Sequence, residues 1–522
     1  MNKLFASLIT LFAFAGLHAQ SLESPHLIVQ LTIDQLRTDY LEAFSSLYGE
    51  DGFKRLWREA MVIRNLQFSY KDRDRASSVA TIYTGTTPSL HGIIGESWYD
   101  ISTMHPVYCV DDPAYMGIST GKSSSPVRLL ASTVTDELKI FTQHKSKIYA
   151  VSPFRDAAVL SAGHNADAAF WIDEDNGKWC GTTYYGVMPS WAAEYNNTKS
   201  IDNRISNIVW GPYYNNIGRY KYLPTWNTVG FKHRFGDSKT DKYAKYLTSP
   251  YINDEVNSFT SILLSNTEIG KDDVPDMLCL TYYAGNYEHQ SRNTLELQDA
   301  YVRLDTSVAS LLSMLDKQVG LKNVLFLITS TGYFDAEDAD MPSYRIPQGE
   351  FNMKHCSALL NMYLMALYVN GQYVEGYYGN QLFLNHKLIE RKKLDMETVQ
   401  EKAIAFLVQF TGVDEAHSAH ELMNGAWSPQ LDEIRKGYYR LRSGDLFVTA
   451  LPGWSVVDEQ HHINKVVRNG YIPAPLIILG GGYKPTIINT PVNVDCIAPT
   501  IASCLHIRAP NASKAASLQN IQ

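Results

Sequence analysis

One stretch constrains this chain more than any other: Ala76–Asp100, ASSVATIYTGTTPSLHGIIGESWYD. Two serines, Ser77 and Ser78, precede a run of small and β-branched residues, which breaks at TGTTP and closes on a Gly/His/Trp-rich loop. Serines ahead of VATIYTG predict a helix N-terminus with hydroxyls at its cap. Such an end presents free N–H groups and a partial positive charge, a suitable place to hold a phosphate.

Around this stretch, short apolar runs alternate with helical patterns. Pro25–Asp34, PHLIVQLTID, predicts a buried strand with Asp34 at its C-terminal end, where open α/β sheets place their chemistry. Asp276–Tyr283, Asn323–Ser330, Asp445–Leu451 and Pro473–Leu479 predict further strands. Gly52–Met61, Thr294–Val319 and Leu394–Thr411 read as helices. Asn65–Arg75 carries the charged run KDRDR. Lys147–His164 reads as a strand and a polar turn, and Ala168–Tyr185 as a hairpin turning at DEDNG. Val494–Leu505 reads as a final helix capped by Asp495 and started by Pro499. The alternation implies an α/β fold, a doubly wound, mostly parallel sheet flanked by helices. Residues 186–255, rich in Tyr, Trp, Asn and Pro, read as an insertion or cap, and residues 345–455 as a smaller α+β subregion.

Composition narrows the class. The 522 residues are 45% hydrophobic and 19% charged, with a net charge of −8, an ordinary soluble profile without the basic surface that a nucleic-acid partner needs. Met1–Ala19 has Lys3, an apolar run and then small residues. This predicts a signal peptide over residues 1–20, cleaved near Ala19 or Gln20, and an exported domain over residues 21–522, periplasmic or extracellular. The run is short of the roughly 20 apolar residues that span a bilayer. None of the six cysteines forms a CxxC. Cys109 and Cys180 are a conceivable pair, while Cys279, Cys356 and Cys504 sit in apolar runs and read as buried thiols.

ATIYTGTTPSLHGIIGESWYD closely resembles the A-S-I-Y-T-G-T-T-P-x-x-H-G-I-I-G-N-x-W-Y-D block of PafA-type bacterial alkaline phosphatases. These belong to the superfamily that also holds the type I phosphodiesterase/nucleotide pyrophosphatases. Asp34-Gln35-Leu36-Arg37 is similar to the family's D-Q-M-R, Leu441–Trp454 to its LRSGD…PGW stretch, and Ile497–Ile507 to its last helix. The resemblance runs from about residue 26 to 515. It implies an alkaline-phosphatase-like fold and, in active members, two zinc ions held by Asp and His around a Thr or Ser nucleophile.

Carried over without gaps, the family's motifs meet different chemistry here. The nucleophile slot is Arg75, with Ser77 and Ser78 as fallback nucleophiles if the loop shifts register. The phosphate-contacting Asn is Glu96, and the Lys and Arg slots are Phe154 and Asp156, with Arg155 adjacent. Of the metal ligands the resemblance implies, Asp34 and His289 are retained, but the partner of His289 is Gly285. The A-D-H-G pair meets Thr329-Ser330-Thr331-Gly332. His461 and His462 are the nearest candidates for the last His. Removing two dications leaves acids such as Asp34 uncompensated. Arg75 is therefore expected to pair with Asp34 or Asp156, a solvated KDRDR loop being the alternative. Two functional readings follow. One is an exported pseudoenzyme with no cofactor that acts by binding a protein or a small anionic ligand. The other is a divergent zinc-dependent phosphatase or phosphodiesterase hydrolysing phosphate esters.

Overall fold

The computed structural model describes residues 24–518 apart from 224–228, 238–239, 291, 336–346 and 468–470. The expected signal peptide lies outside these residues. Among those described, no helix is long and apolar enough to cross a membrane.

The central sheet is built on β1 (Leu27–Asp34), all of whose residues are buried. Side chains alternate across a strand. Leu27, Val29, Leu31 and Ile33 therefore enter one core, and Ile28 enters the other. Asp34 shares the second face with Ile28, Gln30 and Thr32. Next in chain order come β2 (Met61–Gln67), β3 (Ile148–Val151), β4 (Ala168–Ile172), β5 (Trp179–Thr182), β6 (Asp276–Tyr283), β7 (Val324–Ser330) and β8 (Ala474–Leu479). They lie in the order β2-β8-β7-β1-β6-β3-β4-β5. The strands from β7 to β4 are parallel, while β8 and β5 pair antiparallel with their neighbours. The expected doubly wound, mostly parallel sheet is the observed one.

Helices α1 (Arg75–Thr84) and α2 (Arg155–Ala162) pack on the face that carries Asp34. The long amphipathic α3 (Thr294–Gln318) packs on the other. A four-stranded antiparallel sheet of Val374–Tyr378, Gln381–Leu384, Leu446–Ala450 and Val413–Ser418 has its own core with Met353–Tyr368 and Met396–Leu407.

Several local expectations are corrected. The cap of α1 is Asp74, not a serine. Its side chain accepts from the Ser77 N–H at 2.9 Å and Ser77 Oγ returns to the Asp74 backbone, a reciprocal capping box. Ser77 and Ser78 lie inside the first turn. The helix ends at Gly85, φ 63°, the left-handed position that favours glycine. Met61–Gln67 is the strand β2, running into the KDRDR stretch, and the polar turn after β3 leads into α2. The expected insertion contains helices Ser190–Thr198 and Lys242–Leu247, and helix Tyr251–Asn266 starts at its end and runs beyond it. Asp495 does not cap the last helix, which begins at Ile497, before Pro499. Asn493 caps a 3-10 turn ahead of it. Cys109 and Cys180 are unpaired buried thiols, and Cys180 donates to the Trp171 carbonyl instead.

Candidate functional site

Four residues singled out from the sequence, Asp34, Arg75, Glu96 and Asp156, converge at the C-terminal end of β1. Asp34 is fully buried there. Arg75 is the first residue of α1, Asp156 is the second of α2, and Glu96 lies in the loop beyond Gly95. The Arg75 guanidinium reaches all three acids. Its Nε donates to both oxygens of Asp156 at 2.9 and 3.0 Å. One terminal nitrogen lies 2.9 Å from Glu96 and the other 3.6 Å from Asp34. Its plane covers the Phe154 ring, 4.0 Å from the centroid, a cation–π contact. The expected pairing with Asp34 or Asp156 is thus present with both. Arg155 turns elsewhere, donating to Asp111 at 2.7 Å and lying over Tyr108.

Asp34 has further partners that sequence reasoning missed. Thr331 Oγ1 donates to it at 2.8 Å and Tyr333 Oη at 3.3 Å. Thr331 Oγ1 also accepts from the Gln35 N–H. Gln35, in the left-handed region at φ 62°, donates through its amide to Asp335 at 2.7 Å. The only signal for this network was Thr331 itself, a hydroxyl at the slot of a family histidine.

The charges respond to this packing. Burial pushes the Asp34 carboxyl up to about 6, against the pull of Arg75 and Thr331. Burial also raises Glu96 well above the usual carboxylate range, aided by Asp156, Asp74 and Asp34 and opposed by Arg75. For Arg75, burial disfavours the charge, but Asp156, Glu96 and Asp34 outweigh it and hold the guanidinium more firmly protonated than usual.

The residues present do not fit a two-zinc centre, which needs about three protein ligands per ion. Ser330, which the resemblance aligns with a family Asp, donates to the Leu36 carbonyl at 2.6 Å, and Thr331 is bonded to Asp34. His289 is half exposed, with Nδ1 3.4 Å from Asp335. His461 bonds Asp458 at 2.7 Å and packs against Tyr99, Tyr377 and Tyr378. His462 is exposed at φ 56° in the turn that follows. Among the described residues, no three His, Cys, Asp or Glu side chains converge as a metal site.

Gly285 shows that ligand space itself is taken. A Cβ there would lie 2.5 Å from Tyr283 Oη and 2.7 Å from Gln35 Oε1. Tyr283 is held in place, donating to the Asn286 carbonyl at 2.8 Å. Gly285→Asp, which restores the family's residue type, is therefore expected to cost about 1–3 kcal/mol by overpacking. Urea unfolding of the variant measures this, and an unchanged midpoint would mean that Tyr283 swings away freely.

The model of the type I phosphodiesterase/nucleotide pyrophosphatase family matches residues 28–472. The chain belongs to this family. Two curated relatives are alkaline phosphatase PafA of Elizabethkingia meningoseptica and PhoV of Synechococcus elongatus. PafA is 29% identical over 93% of this chain and 92% of its own length. PhoV is 29% identical over 95% and 92%. The crystal structure of PafA superposes with a TM-score of 0.84 at 27% identity, covering 96% of this chain and 99% of that one. The phosphodiesterase/pyrophosphatase framework is thus retained almost end to end, while the side chains around Asp34 form the ion-pair cluster described above.

Proposed function

We propose that this chain is an exported, non-hydrolytic member of its family that acts by binding a protein partner. One observation carries the reading: the residue at the nucleophile slot is Arg75, and its guanidinium is bound to the acids at the Asn and Arg slots, Glu96 and Asp156, and to Asp34. A guanidinium fixed in this way cannot attack phosphorus. The remaining slots reinforce it. Phe154 offers no charge to a phosphoryl oxygen, and three carboxylates facing one cation disfavour a small anion in this cleft. A protein partner therefore suits the molecule better than the anionic ligand.

The alternative, a metal-dependent phosphatase or phosphodiesterase, draws support from the names of the relatives, which are alkaline phosphatases. It would have to use Ser77 or Ser78. Ser77 Oγ donates to Asp74 at 2.8 Å within the capping box, and Ser78 Oγ is buried without a hydrogen-bond partner. The carboxylate beside Ser77, Asp74, is engaged as the helix cap and also accepts the Glu96 N–H, and Ser78 has no base in contact with its hydroxyl. Metal content and aryl-phosphate hydrolysis of the purified chain decide between the two. The expected result is no stoichiometric zinc and no turnover above background with zinc added. Turnover that disappears in a Ser77→Ala/Ser78→Ala double variant would establish the enzyme instead.

A further inference from the structure

The acids around Arg75 do not form a loose cluster. They address three different nitrogens of one planar head group: Asp156 at Nε, Glu96 at one terminal nitrogen and Asp34 at the other. They come from three separate elements, the end of β1, the loop holding Glu96 and the first turn of α2. Asp34 and Asp156 are fully buried, and the fourth side of the head group is closed by the Phe154 ring. Carboxylates buried in this way require a counter-charge held close to them. A planar, delocalised cation meets three acids and an aromatic face at once, which a compact ammonium does not.

We propose that Arg75 is the resident counter-cation of this pocket. Its guanidinium ties β1, the Glu96 loop and α2 together, the folded chain does not depend on divalent metal, and the Asp34/Glu96/Asp156 cradle accepts a free guanidinium ion when the arginine is shortened. This rests on the non-hydrolytic reading above and adds what takes over the electrostatic work in the cleft.

The test is chemical rescue, read by thermal unfolding of the full chain. Wild type and Arg75→Ala are compared alone and with millimolar methylguanidinium, urea, zinc or a chelator. Urea is the planar, uncharged control. The wild-type midpoint is expected to stay within about 1 °C in every condition. Arg75→Ala is expected to melt lower and to regain at least about 3 °C with methylguanidinium, saturably, as ligand linkage requires. Urea is expected to give it nothing. Methylguanidinium acting equally on both proteins, or on neither, overturns the proposal. If Arg75→Ala does not fold, Arg75→Lys and Arg75→Gln take its place. Lys is expected to melt higher than Gln, because it keeps the charge, and equal midpoints overturn the proposal. The two readings fail separately. Zinc with turnover in the wild type removes the non-hydrolytic reading, whereas absent rescue in a metal-free, inactive protein removes only this one.

Discussion

Arg75→Ala is expected to lower unfolding stability by about 3–5 kcal/mol, the range for breaking a buried ion pair from one side. The direction follows from what stays behind. Asp34 and Asp156 are fully buried, and without the guanidinium they keep the cost of desolvation and lose the charge that offset it. A sharper result is expected from the double variant. Adding Asp156→Ala removes one of the orphaned carboxylates, so Arg75→Ala/Asp156→Ala is expected to be more stable than Arg75→Ala alone. The expected coupling is about 1–3 kcal/mol. Urea unfolding of the wild type, both single variants and the double variant measures it. Additive costs would mean that the two side chains do not share an interaction, contrary to the bifurcated contact of Arg75 Nε at 2.9 and 3.0 Å.

Acid is expected to unfold the chain partly through His91, which belongs to the TGTTPSLHG motif. Its ring is fully buried, accepts the Ile93 N–H at Nδ1 and meets Thr81 Oγ1 at Nε2, 3.0 Å away. Nε2 is therefore the protonated nitrogen of the neutral ring and donates to Thr81. Burial, with some help from nearby Arg442, pushes its pKa down to about 3. A depressed histidine contributes stability that is fully present above its unfolded value near 6.5 and is lost as pH falls toward 3. The unfolded chain takes up the proton in that window and the folded chain does not. Each pH unit there is worth about 1.4 kcal/mol, so the loss is on the order of 3–5 kcal/mol across it. His91→Gln cannot charge, and its stability is expected to fall less steeply between pH 6.5 and 4. Parallel pH profiles for variant and wild type would show that His91 titrates alike in both states.

Much of this architecture was legible because it rests on local rules. Continuous apolar runs marked β1, β6, β7 and β8, which are buried on both faces, helical spacing marked α3, and a turn-rich break marked the hairpin of β4 and β5. Errors fell where neighbours compete for the same role. Ser77 and Ser78 looked like caps, yet Asp74 one residue upstream of the helix outcompetes them, since an ionised carboxylate accepts from N–H groups more strongly than a hydroxyl. Asp495 misses its expected role for another reason: it lies inside the 3-10 turn that Asn493 caps, and the helix that follows starts at Ile497 with no side-chain cap. The paired reading of Cys109 and Cys180 failed because cysteine spacing carries no distance information.

The candidate site divides the same way. The sequence singled out Arg75, Glu96, Phe154, Asp156 and Gly285, because the resemblance is carried by contiguous motifs that a gap-free comparison matches position by position. It also determined that a displaced dication would leave acids in need of a positive charge. Only the tertiary structure decided that one guanidinium answers three of them at once, that Phe154 closes its face, and that Tyr283 and Gln35 fill the space beside Gly285. Those outcomes depend on side chains up to about 300 positions apart in the chain meeting within hydrogen-bond distance, as Gln35 meets Asp335. Contacts of that kind are set by how strands and helices stack, and no local pattern of residues records them.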